Sequence, residues 1–274
     1  MSSVRLKTPK DVLALMKRLL FCVILILLSM AKLAQTRENK LGVTLDITYV
    51  SKYLDKGFDT YDDHSGIQSR IDIDLYGSGF GINTTHFRAN SGGFENDEKI
   101  DYTIYYYDGF FEKEAYATSC KLNWIYHHFP DQPRNAANTQ EIEAGFSWPN
   151  ILSVGLVPSY TVCCEWPAGS SYDNRDEGGW AHIFALKYDL AISSLLPNTA
   201  EQLLHLSVGA VYNDGLGSPD VDHDWSHMVL GVSTEFEMTD NLAFKPAIYY
   251  QSSWDDSVNR EDECWMRLSL SYAF

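Results

Sequence analysis

The last ten residues of the chain, 265–274, alternate in character to the final position. Met266, Leu268, Leu270, Tyr272 and Phe274 fall on one side of an extended backbone, and Arg267, Ser269, Ser271 and Ala273 fall on the other. A terminus usually frays unless it is tied down, so a strand this regular at the end of a chain needs a neighbour to pair with. The segment reads as the sealing strand of a barrel, paired with the first strand near residues 43–49.

The same signature recurs upstream. From residue 41 onward, twelve segments have strand character, at 42–53, 66–76, 79–89, 98–108, 114–127, 139–148, 153–164, 179–191, 202–213, 225–237, 241–252 and 263–274. Most are longer than the five or six residues of an ordinary globular strand and match the roughly 9 to 11 that a tilted strand needs to cross a bilayer. Ile71, Ile73 and Leu75 interleave with Arg70, Asp72 and Asp74. Ile142, Ala144, Phe146 and Trp148 interleave with Glu141, Glu143, Gly145 and Ser147, and Phe184, Leu186, Tyr188 and Leu190 oppose Ala185, Lys187 and Asp189.

A soluble sandwich would also alternate, so the connections decide. Links after even-numbered strands are mostly brief, at 77–78, 109–113, 149–152 and 238–240. Links after odd-numbered strands are long and polar, as at 56–65, 90–97, 130–138, 167–178, 214–224 and 254–262. The link at 192–201 is the exception to brevity. Short turns at one end and long loops at the other predict an all-β, transmembrane, antiparallel up-and-down barrel of about twelve strands, with the short turns in the periplasm. Pro158 and Pro246 fall inside two of the strands, where each removes a ladder donor, and a local bulge is expected at both.

The longest apolar run, residues 19–28, comes after Lys17-Arg18 and precedes Ser29-Met30-Ala31. A basic start, a short apolar core and a small-residue cleavage signal make a secretory leader, and the run is well below the roughly 20 residues that span a bilayer as a helix. Residues 1–31 are therefore expected to be leader and signal peptide, and 32–274 the outer-membrane barrel. The net charge of -16 becomes more acidic without the basic leader, which argues against nucleic acid as a partner. The expected partners are outer-membrane lipid, the barrel assembly machinery, and small solutes if the lumen is open.

Four cysteines lie beyond the leader: Cys120, Cys163, Cys164 and Cys264. In an oxidising compartment one disulfide is plausible, with three connectivities open. Cys163 and Cys164 point to opposite faces of a strand, and no CxxC or paired His completes a zinc set, so neither metal nor cofactor is expected. Asp220-Val221-Asp222-His223-Asp224 opens like a calcium loop but lacks the required later Gly and Glu. His223 and His227 have helical metal spacing, yet on a strand they stand about 13 Å apart.

His205-Leu206-Ser207 has the spacing of a lipid-facing hydrolase pair. Leu204, Leu206, Val208, Ala210 and Tyr212 claim the lipid side, which turns His205 and Ser207 into the lumen, so no enzyme is expected. Trp124, Tyr126, Trp148, Trp180 and Trp265 lie near strand ends, as interfacial girdles would. The lumen is expected to carry Arg70, Asp72, Asp74, Glu141, Glu143, Lys187, Lys245 and Arg267. If hydrated, these charges line a diffusion pore. If they pair, they form a plug, and the barrel is a closed structural or loop-binding scaffold.

The first hairpin begins Tyr49-Val50-Ser51-Lys52-Tyr53-Leu54-Asp55-Lys56-Gly57-Phe58, and Tyr76-Gly77-Ser78-Gly79-Phe80 comes after it. It resembles the opening of the TorF-like porin family, small outer-membrane barrels with a Ser-x-Tyr-x-x-basic-Gly pattern. Ser51, Tyr53, Lys56 and Gly57 match, with lysine where the family commonly has arginine. The resemblance implies an outer-membrane barrel of porin type and supplies no firm substrate. Tyr272 and the terminal Phe274 resemble the carboxyl-terminal signal by which such barrels are recognised for assembly.

Overall fold

The computed structural model describes residues 40–133, 137–152, 154–169, 178–193, 201–217 and 220–274. The expected leader and its cleavage site lie outside the described residues, as does most of the link at 192–201. Twelve strands run in chain order: β1 (Gly42–Val50), β2 (Gly66–Asp74), β3 (Phe80–Ala89), β4 (Lys99–Phe110), β5 (Thr118–His128), β6 (Thr139–Ser147), β7 (Val157–Pro167), β8 (Gly179–Ile192), β9 (Gln202–Asp214), β10 (His223–Thr234), β11 (Leu242–Ser253) and β12 (Glu263–Ala273). A short piece, Phe236–Thr239, continues β10.

Each strand pairs antiparallel with its sequence neighbour, and β12 pairs with β1, from Thr44↔Ala273 to Val50↔Arg267. The circle closes one residue from the expected register. Phe274 adds a final rung, donating its backbone N–H to the Val43 carbonyl at 2.9 Å. Among the described residues closure leaves the barrel sheet no free edge strand, which is what lets a sheet sit in hydrocarbon.

Period-two alternation then sorts the side chains. Leu45, Ile47, Ile71, Ile82, Ile104, Ile142, Phe184, Leu230, Ile248 and Leu270 stand exposed on the outer surface, where lipid rather than water is their natural solvent. Trp180 and Trp225 are exposed toward the long-loop end, and Tyr107 and Tyr272 toward the short-turn end, as two girdles would be. Trp265 departs from the girdle expectation. It shares a face with Arg267 and stacks inside the barrel on Tyr249, with ring centroids 5.2 Å apart.

The prolines are accommodated without the expected bulges. Pro158 stands near the start of β7, where its carbonyl accepts from Trp148 N–H just past the last β6–β7 pair, Ser147↔Ser159. Its missing donor points to where that ladder is ending anyway. Pro246 pairs without slip against Leu268 of β12. On its other side the ladder stops at Ser233↔Ala247 and resumes at Phe236↔Phe244 in unchanged register, so the proline interrupts β10 instead of bulging β11. Register shifts occur elsewhere, between Glu237 and Thr239 against β11 and at Ser226 of β10. The Ser226 bulge falls between Val211↔His227 and Tyr212↔Trp225, and the buried Ser226 hydroxyl donates to the Val211 carbonyl at 3.2 Å.

Cys120, Cys163, Cys164 and Cys264 are all free thiols. Cys163 is buried toward the lumen, and Cys164, its neighbour on the opposite face, is partly exposed.

Candidate functional site in the barrel lumen

The strand expected at 42–53 ends at Val50, and the chain then turns inward. Residues 51–65 form a loop that folds into the outer mouth of the barrel and carries a two-rung hairpin, Leu54–Asp55 against Phe58–Asp59. Its turn is Lys56-Gly57, with φ of 51° and 101°, the positive pair that a tight type I′ connection demands. Gly57 is required twice over, because a Cβ there would lie 2.5 Å from the His227 ring.

The base of this loop is a small apolar core. Val50, Tyr53 and Tyr61 are buried and pack with Phe87, Ala89 and Phe94. Tyr53 lies 5.1 Å from Tyr61 and 5.2 Å from Phe87 between ring centroids. Lys99 extends its ammonium over the Phe87 ring at 4.8 Å and bonds Asp55 at 2.7 Å.

The tip is held by polar contacts to far walls. Lys56 Nζ donates to Glu141 Oε2 at 2.5 Å and to Glu165 Oε2 at 3.2 Å, on β6 and β7. Glu141 is 2 % exposed and also meets His127 Nε2 at 3.2 Å, while His127 Nδ1 meets Asp101 at 2.6 Å. On the opposite side the Gly57 carbonyl accepts from Gln251 Nε2 at 3.0 Å and Asn259 Nδ2 at 3.3 Å. Lys52 bridges Glu263 of β12 and Asp63 of its own loop. Contacts reaching β4, β6, β7, β11 and β12 mean that the hairpin spans the opening.

The charges of the hairpin are set by their neighbours. Burial alone would raise the Asp55 carboxyl, but the ammonium groups of Lys99 and Lys56 more than reverse this and hold it well below the usual carboxylate range. Burial would likewise lower Lys56, and Glu165, Glu141 and Asp55 instead keep it above the ordinary lysine value. The hairpin tip is thus an ion-paired latch.

On the inner side of the hairpin lies a cavity of about 710 Å³, lined by Asp46, Arg70, Asp72, Tyr105, Lys121, Glu143, Lys187 and Lys245 among others. A smaller recess of about 290 Å³ lies on its outer side, between the hairpin and Asp97, Phe129 and Leu216. Of the eight charged residues expected in the lumen, Arg70, Asp72, Glu143, Lys187 and Lys245 share the large cavity. Arg70 bonds Asp72 at 2.5 Å, and Tyr105 donates to Asp72 at 2.9 Å. Glu141 stands higher, under the latch. Arg267 donates to Gln68 at 3.1 Å and shares a recess with His205, Lys245 and Ser269. Asp74 is drawn into the turn, where it accepts from Gly77 N–H.

The four residues that match the family pattern lie together in the inward loop. Ser51 pairs with Met266 of β12 through its backbone N–H and side-chain oxygen. Tyr53 belongs to the apolar base, and Lys56 and Gly57 are the tip. The partners of this loop, namely Lys99, Glu165, Gln251, Asn259 and Glu263, and the Asp101–His127 pair behind them, were not singled out from sequence. Lys99 and Asp101 carry a lumen-facing alternation, but which charge meets which depends on register. His205 lies on the lumen wall, where its Nδ1 meets Asp189 at 2.7 Å. His223 pairs with Asp214, while His227 is buried beneath Gly57, so the two histidines serve different neighbours.

A closed transmembrane barrel with a polar lumen and an inward first loop is the class these observations define. Comparison with solved structures agrees on the fold. The KdgM porin superposes with a TM-score of 0.51 at 11 % identity, covering 84 % of this chain and 99 % of its own. The NanC porin superposes with a TM-score of 0.52 at 9 % identity, covering 83 % and 98 %. No family profile matches the chain, and no curated protein matches it in sequence.

Proposed function

We propose that this protein is an outer-membrane porin-like channel for passive diffusion of small solutes, of the TorF-like type, whose outer mouth is obstructed by its own first loop. One observation carries the reading. A closed barrel with an apolar outer face holds a charge-lined cavity of about 710 Å³, and toward the long-loop end of the same lumen stands a loop hairpin held at its tip by hydrogen bonds and ion pairs. A hydrated mixed-charge lumen conducts ions according to its local field. The fold shared with two porins supports the barrel and says nothing of the solute.

The hairpin itself favours a second reading, a closed scaffold displaying acidic loops. Planar-bilayer recording separates the two. The whole protein is expected to give rare or small steps, and a variant with residues 54–59 replaced by a short Gly-Ser link is expected to give frequent, larger discrete steps. Silence from both across a range of salts would leave the scaffold reading standing and remove the channel.

Assembly rests on the last strand. Phe274 closes the final rung on Val43 and packs edge-on against Tyr272, with centroids 4.9 Å apart. Removing Phe274 is expected to harm insertion into the membrane more than export. Normal insertion of that truncation, measured by heat-modifiable migration of membrane fractions, would overturn its role as an assembly signal.

A further inference from the structure

Just inside the latch, three neighbouring strands place Asn123, Glu143 and Cys163 directly opposite one another, as Asn123↔Glu143 and Glu143↔Cys163. Glu141 stands two residues away on the same face of β6. Ligand atoms of Glu141, Glu143 and Cys163 all lie within 4.8 Å of one another. Cys163 Sγ stands 3.8 Å from Glu143 Oε2, and Asn123 Nδ2 donates to Glu143 Oε1 at 2.8 Å.

Asn123 supplies the independent sign. Because a carboxylate only accepts, the amide must present its nitrogen to Glu143, which leaves Oδ1 as the free atom. That oxygen is buried without a hydrogen-bond partner, in a side chain only 8 % exposed. Native structures rarely leave such an atom unmet. Two carboxylates and a thiol converge here, and beside them, on the amide that donates to Glu143, stands a buried oxygen with no partner of its own.

We propose that Glu141, Glu143, Cys163 and Asn123 form a binding site for a borderline-soft divalent cation of the zinc class on the lumen wall beneath the hairpin. The thiol selects for softness over calcium or magnesium, and the oxygens supply charge and a fourth donor. On binding, the sulfur gives an electron pair to the metal and its proton leaves to solvent, so no oxidant or reductant is involved. Affinity therefore rises with pH. The site is also tied to the latch, since Glu141 already holds Lys56 through Oε2. A dication on the same carboxylate weakens that grip, and the Lys56 ammonium in turn opposes the metal. The site stands whether or not the barrel conducts.

The test uses the full chain folded in detergent, with Cys120, Cys164 and Cys264 changed to serine, titrated with cadmium chloride alone. The expected result is a saturable thiolate-to-cadmium ultraviolet band at one equivalent, reversed by zinc and strengthened as pH rises. Cys163→Ser abolishes it, Glu143→Gln and Asn123→Ala weaken binding, and Lys56→Met tightens it. Heat-modifiable migration checks that each variant is folded. No band, or a band whose strength is unchanged in folded Glu143→Gln and Asn123→Ala, would overturn the site, the latter showing that cadmium merely meets a lone thiol.

Discussion

The outer and inner parts of the lumen hold similar residue types in opposite states. In the outer part, Lys56, Lys99, Glu141 and Glu263 are largely buried, each charge meets an opposite one, and an apolar base of Val50, Tyr53 and Tyr61 excludes water. In the inner part, Arg70 and Lys245 also meet opposite charges, Asp72 and Glu235, but stand with about two-fifths of their side chains exposed around a cavity. Charge in a lumen is therefore not in itself a sign of a pore. Covered and paired, it is a fastening; hydrated, it is a field that acts on passing ions.

The hairpin is where this contrast breaks most sharply. Replacing residues 54–59 is expected to make the outer part resemble the inner one, raising mean conductance severalfold in planar bilayers. An unchanged conductance would mean that the obstruction lies elsewhere. Single charges come next. Lys56→Met leaves Glu141 and Glu165 short of a cation and is expected to cost about 2 kcal/mol, the scale of lost hydrogen bonds to charged groups. Lys245→Met, whose partner Glu235 lies 3.0 Å away at a wet site, is expected to cost under about 0.5 kcal/mol while shifting ion selectivity. Thermal unfolding in detergent reads both, and equal costs would erase the distinction.

A subtler break concerns Tyr61, whose hydroxyl is buried without a partner. Tyr61→Phe keeps the ring contacts and removes an unmet polar group, so it is expected to be neutral or stabilising by up to about 1 kcal/mol. A loss larger than that, read by the same melts, would reveal a partner for the hydroxyl.

The smallest effect is that of pH. Because the Asp55 carboxyl is held low, its contribution is present above the ordinary carboxylate range and is lost only as pH falls through its folded value. Lys56 is held high, so its share is present below the ordinary lysine value and lost only in strong alkali. Proteolysis of the loop is thus expected to be flat between about pH 5 and pH 8. A midpoint near neutrality would show that another group controls the latch.

Much of the barrel could be read from the sequence because lipid imposes period two on one face of every strand. The segments expected at 139–148, 179–191 and 263–274 match β6, β8 and β12 to within a residue at each end. The reading failed where the cause was not local. Ser51, Lys52 and Tyr53 continue an extended pattern, and nothing in their spacing says that the chain bends into the lumen at Val50. Likewise Lys56 lies 85 positions before Glu141, and only the strand register brings the two together. The family pattern marked Ser51, Tyr53, Lys56 and Gly57 as a group without saying what held them there.

Both ends of the inward loop join adjacent strands, β1 and β2, while its tip rests against β6 and β7. Mechanically this is a flap hinged along one side. A force from the cavity side acts on the tip with the longest lever arm, so Lys56 is loaded before the tyrosine-rich hinge. Were the flap to open, it would peel a few contacts at a time, and the resisting force at any moment would be that of the contact being broken rather than the sum of them all.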